Sequence, residues 1–132
     1  MRIGIDIQSI EEVKDSLTRF GARYVGRLFT VAELAGCDLA SPFAPRQLAE
    51  RFAAKEAVLK MLEPTDIVPE WKDIEVFSSP HGCQEIVLSA SAAQLAASRG
   101  LGALSVSFSH GGGVATAVVV SDVDVNDNMV RS

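Results

Sequence analysis

The sequence predicts a single α+β domain, in which a mostly antiparallel sheet packs against one long helix and several short ones. Two observations lead to this fold class. Segments that alternate apolar with polar residues, the pattern of half-buried strands, stand near both ends of the chain, and helical patterns lie between them. In the second half, predicted strands follow one another as hairpins, and hairpins favour antiparallel pairing.

The first strand and the first helix are marked by local signals. Ile3, Ile5 and Ile7 alternate with smaller or polar residues, which predicts a strand with one half-buried face. Ser9 and Glu12 have the spacing of a capping box, so the first helix is expected to begin there.

The later elements follow from caps and helix breakers. Thr30 and Glu33 form a second capping box, and Pro45 precedes a long stretch without glycine or proline. Gly100 is placed to end the helix that Ser91 opens. The predicted elements are strand 2–7, helix 9–20, short helix 30–36, helix 46–62, strand 73–77, strand 84–89, helix 91–99, strand 103–109 and strand 114–121.

The run from Arg51 to Lys60 is the most informative part of the long helix. Glu56 falls between a stripe of bulky apolar residues and a face of alanines, with Lys60 one turn further on. Because an unpaired buried charge is costly, Glu56 needs a partner. An internal ion pair between Glu56 and Lys60 satisfies this requirement, and so does a functional site.

Asp6 stands at the carboxyl end of the first predicted strand, directly before a helix. Aspartate is a poor strand former, and a junction of this kind is a common place for site residues. An aspartate that serves a turn or caps a helix gives the same pattern. From the residues alone, both interpretations stay open.

Residues 103–113 predict a strand with one apolar face and one hydroxyl-bearing face, followed by a glycine turn. Val106 and Phe108 alternate with serines, and three glycines follow His110. Glycines beside Ser109 and His110 leave backbone N–H groups open, which favours an anion such as phosphate. A glycine-rich hairpin with an incidental histidine is the alternative interpretation.

Together, these stretches resemble the signature of one family, the holo-acyl-carrier-protein synthase type of 4′-phosphopantetheinyl transferase. Their order and approximate spacing agree with that family over about residues 1–121. The resemblance rests on Gly4-Ile5-Asp6-Ile7, on Arg51-Phe52-Ala53-Ala54-Lys55-Glu56-Ala57 with Lys60, on Trp71-Lys72-Asp73-Ile74-Glu75-Val76 and on Ser107-Phe108-Ser109-His110.

The resemblance implies an enzyme that transfers 4′-phosphopantetheine from coenzyme A to a serine of an acyl or peptidyl carrier protein, with Mg²⁺, releasing 3′,5′-ADP. It assigns Asp6 and Glu56 as metal ligands, and Glu56 and Lys60 as catalytic residues. Two carboxylates suffice for Mg²⁺, because substrate phosphates and water commonly fill its other positions. The coenzyme A environment is assigned to Arg51, Lys55, Lys60, Ser109 and His110. The carrier can belong to fatty-acid, polyketide or peptide synthesis.

One departure from the family pattern follows the long helix. The family usually has a glycine-containing turn there, lying against coenzyme A, whereas this chain reads Met61-Leu62-Glu63-Pro64. A backbone contact that requires glycine is therefore not expected. The alternative function is a diverged relative, catalytically weak or inactive, that binds a nucleotide or a carrier protein.

A second departure concerns the surface that faces the carrier. Family members commonly have a basic residue near this point of the first helix, and this chain has Glu11 and Glu12. Some positive surface remains at Arg19, Arg23 and Arg27. Because the whole chain carries a net charge of −5, we expect weaker activity on a strongly acidic carrier than on a less acidic one.

Composition limits the other functions. An acidic chain with one tryptophan and one tyrosine does not favour nucleic-acid binding. No apolar run approaches the ~20 residues of a membrane span, so no membrane partner is expected. Two distant cysteines predict neither a disulfide scaffold nor a zinc site, which favours a cytoplasmic location. The apolar-rich composition is compatible with the homotrimer that the resemblance implies.

The domain prediction has two parts. Residues 1–121 form the transferase domain, and residues 122–132, which are polar and lack periodicity, form a flexible tail. Ser79-Pro80-His81-Gly82 predicts a turn between two strands, with His81 in solvent.

Overall fold

The computed structural model describes residues 1–78 and 83–123. Its α+β architecture confirms the predicted fold class. The elements in chain order are β1 (Arg2–Ser9), α1 (Ile10–Phe20), α2 (Ala22–Leu28), α3 (Val31–Leu34), α4 (Ala44–Leu62), a 3₁₀ turn (Trp71–Asp73), β2 (Ile74–Ser78), β3 (Gln84–Leu88), α5 (Ala90–Ser98), β4 (Leu101–Gly111) and β5 (Val114–Val123).

The strands form two antiparallel sheets in the described part of the chain. The larger sheet has the order β1-β5-β4, so β5 lies between the first strand and its own hairpin partner. β2 and β3 form the smaller sheet. The register places Asp6 opposite Ala117, and Ala117 opposite Phe108.

α4 packs across the inner face of the larger sheet, and small side chains make this contact close. From β5, the fully buried residues Ala115, Ala117 and Val119 face the helix side. From α4, Ala53 and Ala57 are fully buried as well. This explains why the small-residue face of the long helix lies inside the domain.

Gly4 marks the closest approach of β1 to α4. A Cβ atom at this position would lie 2.7 Å from Met61 Cγ and even closer to the carbonyl oxygen of Ala57. The helix backbone cannot give way as a flexible side chain can, so only glycine leaves enough space. Two residues further along the same face of β1 comes Asp6.

One helix is absent from the predicted elements. α2 follows α1 directly, because Gly21 adopts a φ of 49° and turns the chain between them. Its interior contains Gly26, a weak helix former that lowered the local signal. Burial of Val25 and Phe29 stabilises the helix through tertiary contacts.

The remaining differences concern boundaries. β1 and β4 extend beyond their predicted ends, and α3 is shorter than predicted. β5 continues to Val123, so the first two residues assigned to the tail belong to a strand. The predicted turn 79–82 and the rest of the tail, 124–132, lie outside the described residues.

We expect Gly4→Ala to lower the free energy of unfolding by about 1–3 kcal/mol, because the methyl group overpacks the contact between β1 and α4. Gly26→Ala is the matched control, because a Cβ there meets no atom within 4 Å and the residue lies in a helix. That substitution is expected to stabilise the fold by up to about 1 kcal/mol. Urea denaturation of both variants measures the difference, and equal stabilities would contradict the close approach.

Candidate active site

The contact between β1 and α4 brings three of the predicted site residues together. Lys60 Nζ donates a hydrogen bond to Asp6 Oδ1 at 2.8 Å and another to the carbonyl oxygen of Ile5 at 3.0 Å. Gln8 Nε2 donates to the second oxygen, Asp6 Oδ2, at 2.7 Å. Glu56 lies one turn before Lys60 on the same helix, close enough for its charge to interact with both neighbours.

One interpretation of Glu56 from the sequence, an ion pair with Lys60 within the helix, is not what the structure shows. Lys60 pairs with Asp6 across two elements, and no ion pair within 4 Å joins it to Glu56 in the described residues. The Asp6 side chain is 12% exposed, whereas the Lys60 side chain is 57% exposed. The ammonium group therefore reaches solvent from a position directly above a mostly buried carboxylate.

The ionisation of Glu56 depends on its burial and on its two charged neighbours. Burial raises the pKa of the Glu56 carboxyl, and the charge of Asp6 raises it further. Lys60 acts in the opposite direction and lowers the pKa. Two acids that are held side by side in a partly buried place are stabilised together when a cation neutralises them.

This donor set suits a small divalent cation that takes few protein ligands. Two carboxylates from separate elements supply oxygen donors, which Mg²⁺ prefers, and leave its other positions to phosphate or water. In residues 1–78 and 83–123, no group of three or more histidine, cysteine, aspartate or glutamate side chains comes together. Asp6 and Glu56 are thus the pair that would hold the ion.

Lys55, which was assigned to coenzyme A, lies in the interior instead. Its ammonium group is fully buried and donates to Glu33 Oε1 at 2.7 Å and to the carbonyl oxygens of Trp71, at 2.9 Å, and Ile74. A lysine ammonium has three donors, and all three are used. The assignment of Lys55 to the ligand is therefore not supported, because no donor remains for a phosphate.

A buried carboxylate organises this interior cluster. Besides Lys55, Glu33 accepts hydrogen bonds from the backbone N–H groups of Thr30 and Val76, both at 3.0 Å. Burial lowers the pKa of Lys55, and Glu33 opposes that change. The cluster ties α3, α4 and β2 together, so it supports the helix that carries Glu56 and Lys60.

Arg51 stands at the edge of the same cluster. Its Nη1 donates to the carbonyl oxygen of Glu33 at 2.9 Å, and the residue is largely buried. It also lines an open cavity of about 190 Å³ together with Arg46, Gln47, Ser78 and Phe108. Glu50 lines this cavity as well and pairs with Arg46 at 2.9 Å, so both signs of charge are present there, on the β4 side of the domain.

Ser109 and His110 lie at the opposite edge of the larger sheet from Asp6. They pair with Thr116 and Ala115 of β5, and both are exposed. Since neighbouring strands are about 4.8 Å apart, β4 is separated from β1 by about 10 Å. One chain thus brings Asp6 and Lys60 into contact, with Glu56 close enough to interact electrostatically with both, but holds Ser109 and His110 apart from them.

Comparison with known proteins decides the family. The model of the 4′-phosphopantetheinyl transferase superfamily matches residues 2–119. The holo-[acyl-carrier-protein] synthase of Desulforudis audaxviator is 39% identical over 119 residues, which cover 90% of each chain. This chain belongs to the 4′-phosphopantetheinyl transferase superfamily. It is therefore a transferase, as the motifs predicted.

Solved structures of family members have the same fold. The crystal structure of Helicobacter pylori holo-[acyl-carrier-protein] synthase in complex with coenzyme A has a TM-score of 0.76 and 31% identity, over 92% of this chain and 100% of that one. The Bacillus anthracis holo-(acyl-carrier-protein) synthase in complex with CoA (3′,5′-ADP) has a TM-score of 0.70 and 26% identity, over 92% and 95%.

The contacts of two residues that support the candidate site were missed from the sequence. Gln8 lies two positions after Asp6 on the same strand face, and this period of two was the available signal. Glu33 was recognised as a capping residue, and the structure confirms its capping box. Its pairing with Lys55 had no local signal, because the partners are 22 positions apart.

No helix in the described residues is long and apolar enough to cross a membrane.

We expect Lys55→Met to lower the free energy of unfolding by about 3–5 kcal/mol, because it leaves the buried Glu33 carboxylate without its counter-ion. Lys60→Met removes the same group from the same helix, but at an exposed position, so its cost should stay within about 1 kcal/mol. Denaturant unfolding of the two variants checks this. A larger loss at Lys60 than at Lys55 would mean that the two lysines have been assigned the wrong roles.

Proposed function

We propose that this transferase moves 4′-phosphopantetheine from coenzyme A to a serine hydroxyl of a carrier protein, in the cytoplasm. The observation that carries the proposal is the cluster of Asp6, Glu56 and Lys60 between β1 and α4. The relatives of this chain include holo-[acyl-carrier-protein] synthases, and the crystal structure of the Helicobacter pylori enzyme is of its complex with coenzyme A.

Each residue of the cluster has a different role in the proposed reaction. The serine oxygen forms a bond to the β-phosphorus of coenzyme A, and the pyrophosphate P–O bond breaks to release 3′,5′-ADP. We propose that Glu56, whose pKa burial raises, takes the serine proton. Lys60 offsets the negative charge that grows on the leaving group, since its ammonium reaches solvent above the site. Gln8 fixes the orientation of Asp6.

Asp6 and Glu56 are the residues that would hold Mg²⁺ in this proposal. When bound, the ion neutralises and aligns the pyrophosphate oxygens. The presence of CoA (3′,5′-ADP) in the Bacillus anthracis relative supports the proposed leaving group. Arg51, Ser109 and His110 remain candidates for the coenzyme A environment, and we place them on the side of the site that a second subunit supplies.

We expect Asp6→Asn and Glu56→Gln to lower the transfer rate by about a hundredfold or more, because each removes charge where it is needed in the transition state. Glu11→Gln is the matched control, because it removes an exposed carboxylate from the neighbouring helix. Mass spectrometry of an apo carrier incubated with coenzyme A and Mg²⁺ measures the reaction. The proposal fails if the wild-type chain does not modify any carrier, or if both site variants keep full activity.

The outer face of the larger sheet supports a homotrimer as part of the proposal. Ile3, Ile5 and Ile7 are 60%, 53% and 58% exposed and lie side by side along β1. On β5, Val118 and Val120 continue this apolar surface, because they pair with Ile5 and Ile3. A contiguous apolar face of this kind is typical of an interface between copies, and the number of copies is inferred from the family resemblance.

We expect Ile5→Lys to convert the assembly into monomers, because it places a charge in the middle of this face. The fold itself should remain, since the side chain lies outside the core. Val31→Lys is the control at an apolar position that is 87% exposed on α3. Light scattering coupled to size exclusion gives the masses. A wild-type chain of monomer mass at working concentration would refute the assembly.

The carrier is proposed to dock along a groove between α1 and α2. One part of the groove has a volume of about 360 Å³ and begins at Gln8, next to Asp6. A second part, of about 260 Å³, continues past Phe20, which is 55% exposed. Glu12 lines only the part near the site, Arg23 lines only the far part, and Arg27 lines both. The lining of the groove therefore becomes more positive from the end near the site to the far end.

We expect Glu12→Arg to raise kcat/KM on a strongly acidic carrier several-fold, to about tenfold, at low salt, through faster association. Glu11→Arg makes the same charge change one residue away, outside the groove lining, and should act more weakly. The comparison uses one acidic and one nearly neutral carrier, each at two salt concentrations. Equal gains from both variants would show that net charge, rather than the groove, governs carrier choice.

A further inference from the structure

The C-terminal end of α4 adopts a conformation that its sequence does not favour. Glu63 follows the last helical residue with φ 47° and ψ 59°, the left-handed region in which glycine is the usual residue. Glycine is the residue expected at this turn from the family pattern. The turn is therefore left-handed in this chain, although the residue that favours this conformation is absent.

The helix backbone supplies little to hold this turn. The last four carbonyl groups of a helix have no partner within the helix. The amide that would reach the Lys60 carbonyl in a continued helix belongs to Pro64, and proline has no N–H group. Lys60 itself stands in this last turn, so the conformation of the turn bears directly on its position.

Two arginines from other elements supply the missing donors. Arg99, at the end of α5, donates from Nε to the Leu62 carbonyl at 3.1 Å and from Nη2 to the Glu63 carbonyl at 2.6 Å. Arg2 of β1 lies 3.5 Å from the Met61 carbonyl. The Glu63 side chain adds little, because its carboxylate is 4.0 Å from Arg2 and both groups are substantially exposed.

The guanidinium group of Arg99 holds the left-handed turn better than a group with a single point of charge would. A planar guanidinium can donate to two adjacent carbonyls at once, whereas a lysine ammonium on a flexible chain acts as a point charge. Bonding to the carbonyls of Leu62 and Glu63 fixes the two peptide groups on either side of the Glu63 Cα atom, and their relative orientation is what makes the turn left-handed. Positive charge at a helix C-terminus is also favoured by the helix dipole.

We propose that Arg99 is a positioning residue of the transfer reaction, because it holds the left-handed Glu63 turn and with it the last turn of α4, from which Lys60 reaches Asp6. The inference rests on the proposed function. It assigns to Arg99 no contact with substrate. Arg99 acts through the backbone, and it replaces the conformational preference of a glycine with two hydrogen bonds from a distant element.

The test is a set of variants at positions 99 and 63. Arg99→Met should lower kcat by about 10- to 100-fold through misplacement of Lys60. The KM for coenzyme A should change little, since the charge of Lys60 matters most as the bond breaks. Adding Glu63→Gly should restore kcat, because glycine adopts the left-handed turn without help. Adding Glu63→Ala should not, although it removes the same carboxylate.

Hydrogen exchange of the amides at 58–63 gives a readout that does not depend on activity. Exchange there should become faster in Arg99→Met and return towards wild-type values with Glu63→Gly, but not with Glu63→Ala. If Arg99→Met does not fold, Arg99→Lys carries the test, with a smaller loss of kcat that Glu63→Gly again restores.

Two results would overturn the inference. One is an unchanged kcat and unchanged exchange at 58–63 in a folded Arg99 variant. The other is equal rescue by glycine and alanine at position 63, which would show that the carboxylate matters and the backbone conformation does not. A wild-type chain that modifies no carrier would instead refute the proposed function, and hydrogen exchange would still decide whether Arg99 holds the turn.

Discussion

The close approach of β1 to α4 is the contact on which the rest of the structure depends. Gly4 lets the strand lie against the backbone at Ala57, and Asp6 is the next residue on that face of the strand. Any side chain at position 4 would hold the two elements apart, and the 2.8 Å contact between Asp6 and Lys60 would lengthen with it. Because interiors are close-packed, the core and the site share this contact and cannot change independently.

Lys55 and Lys60 show how a single helix serves both the fold and the site. Five positions at about 100° each place the two side chains about 140° apart around the helix. Lys55 consequently points into the domain, where the Glu33 carboxylate and two carbonyls satisfy it, and Lys60 points towards the end of β1. The buried pair fixes the helix, and the exposed lysine keeps the freedom to meet a charged substrate.

Local patterns predicted the fold class, because strand alternation and capping boxes depend on residues that are close in sequence. The joint site of Asp6, Glu56 and Lys60 was predicted from the family resemblance. Lys55 was misassigned since a motif gives the identity of a residue, but not the direction in which it leaves the helix. α2 was missed because its stability comes from the burial of Val25 against the rest of the domain rather than from the helix propensity of its sequence. At Glu63 the residue type did not indicate the left-handed conformation, which a distant arginine stabilises through hydrogen bonds.

The order of the larger sheet has a consequence for the nascent chain on the ribosome. β1 pairs with β5, so Arg2 finds its partner at Ser121, and the central strand is the last in chain order among the strands that the structure describes. Closing so long a loop is entropically costly and makes folding slower. Until β5 emerges, the row of isoleucines on β1 and the small residues of α4 have no sheet to join. The sheet that holds Asp6 beside Lys60 is therefore complete only after β5 has been synthesised.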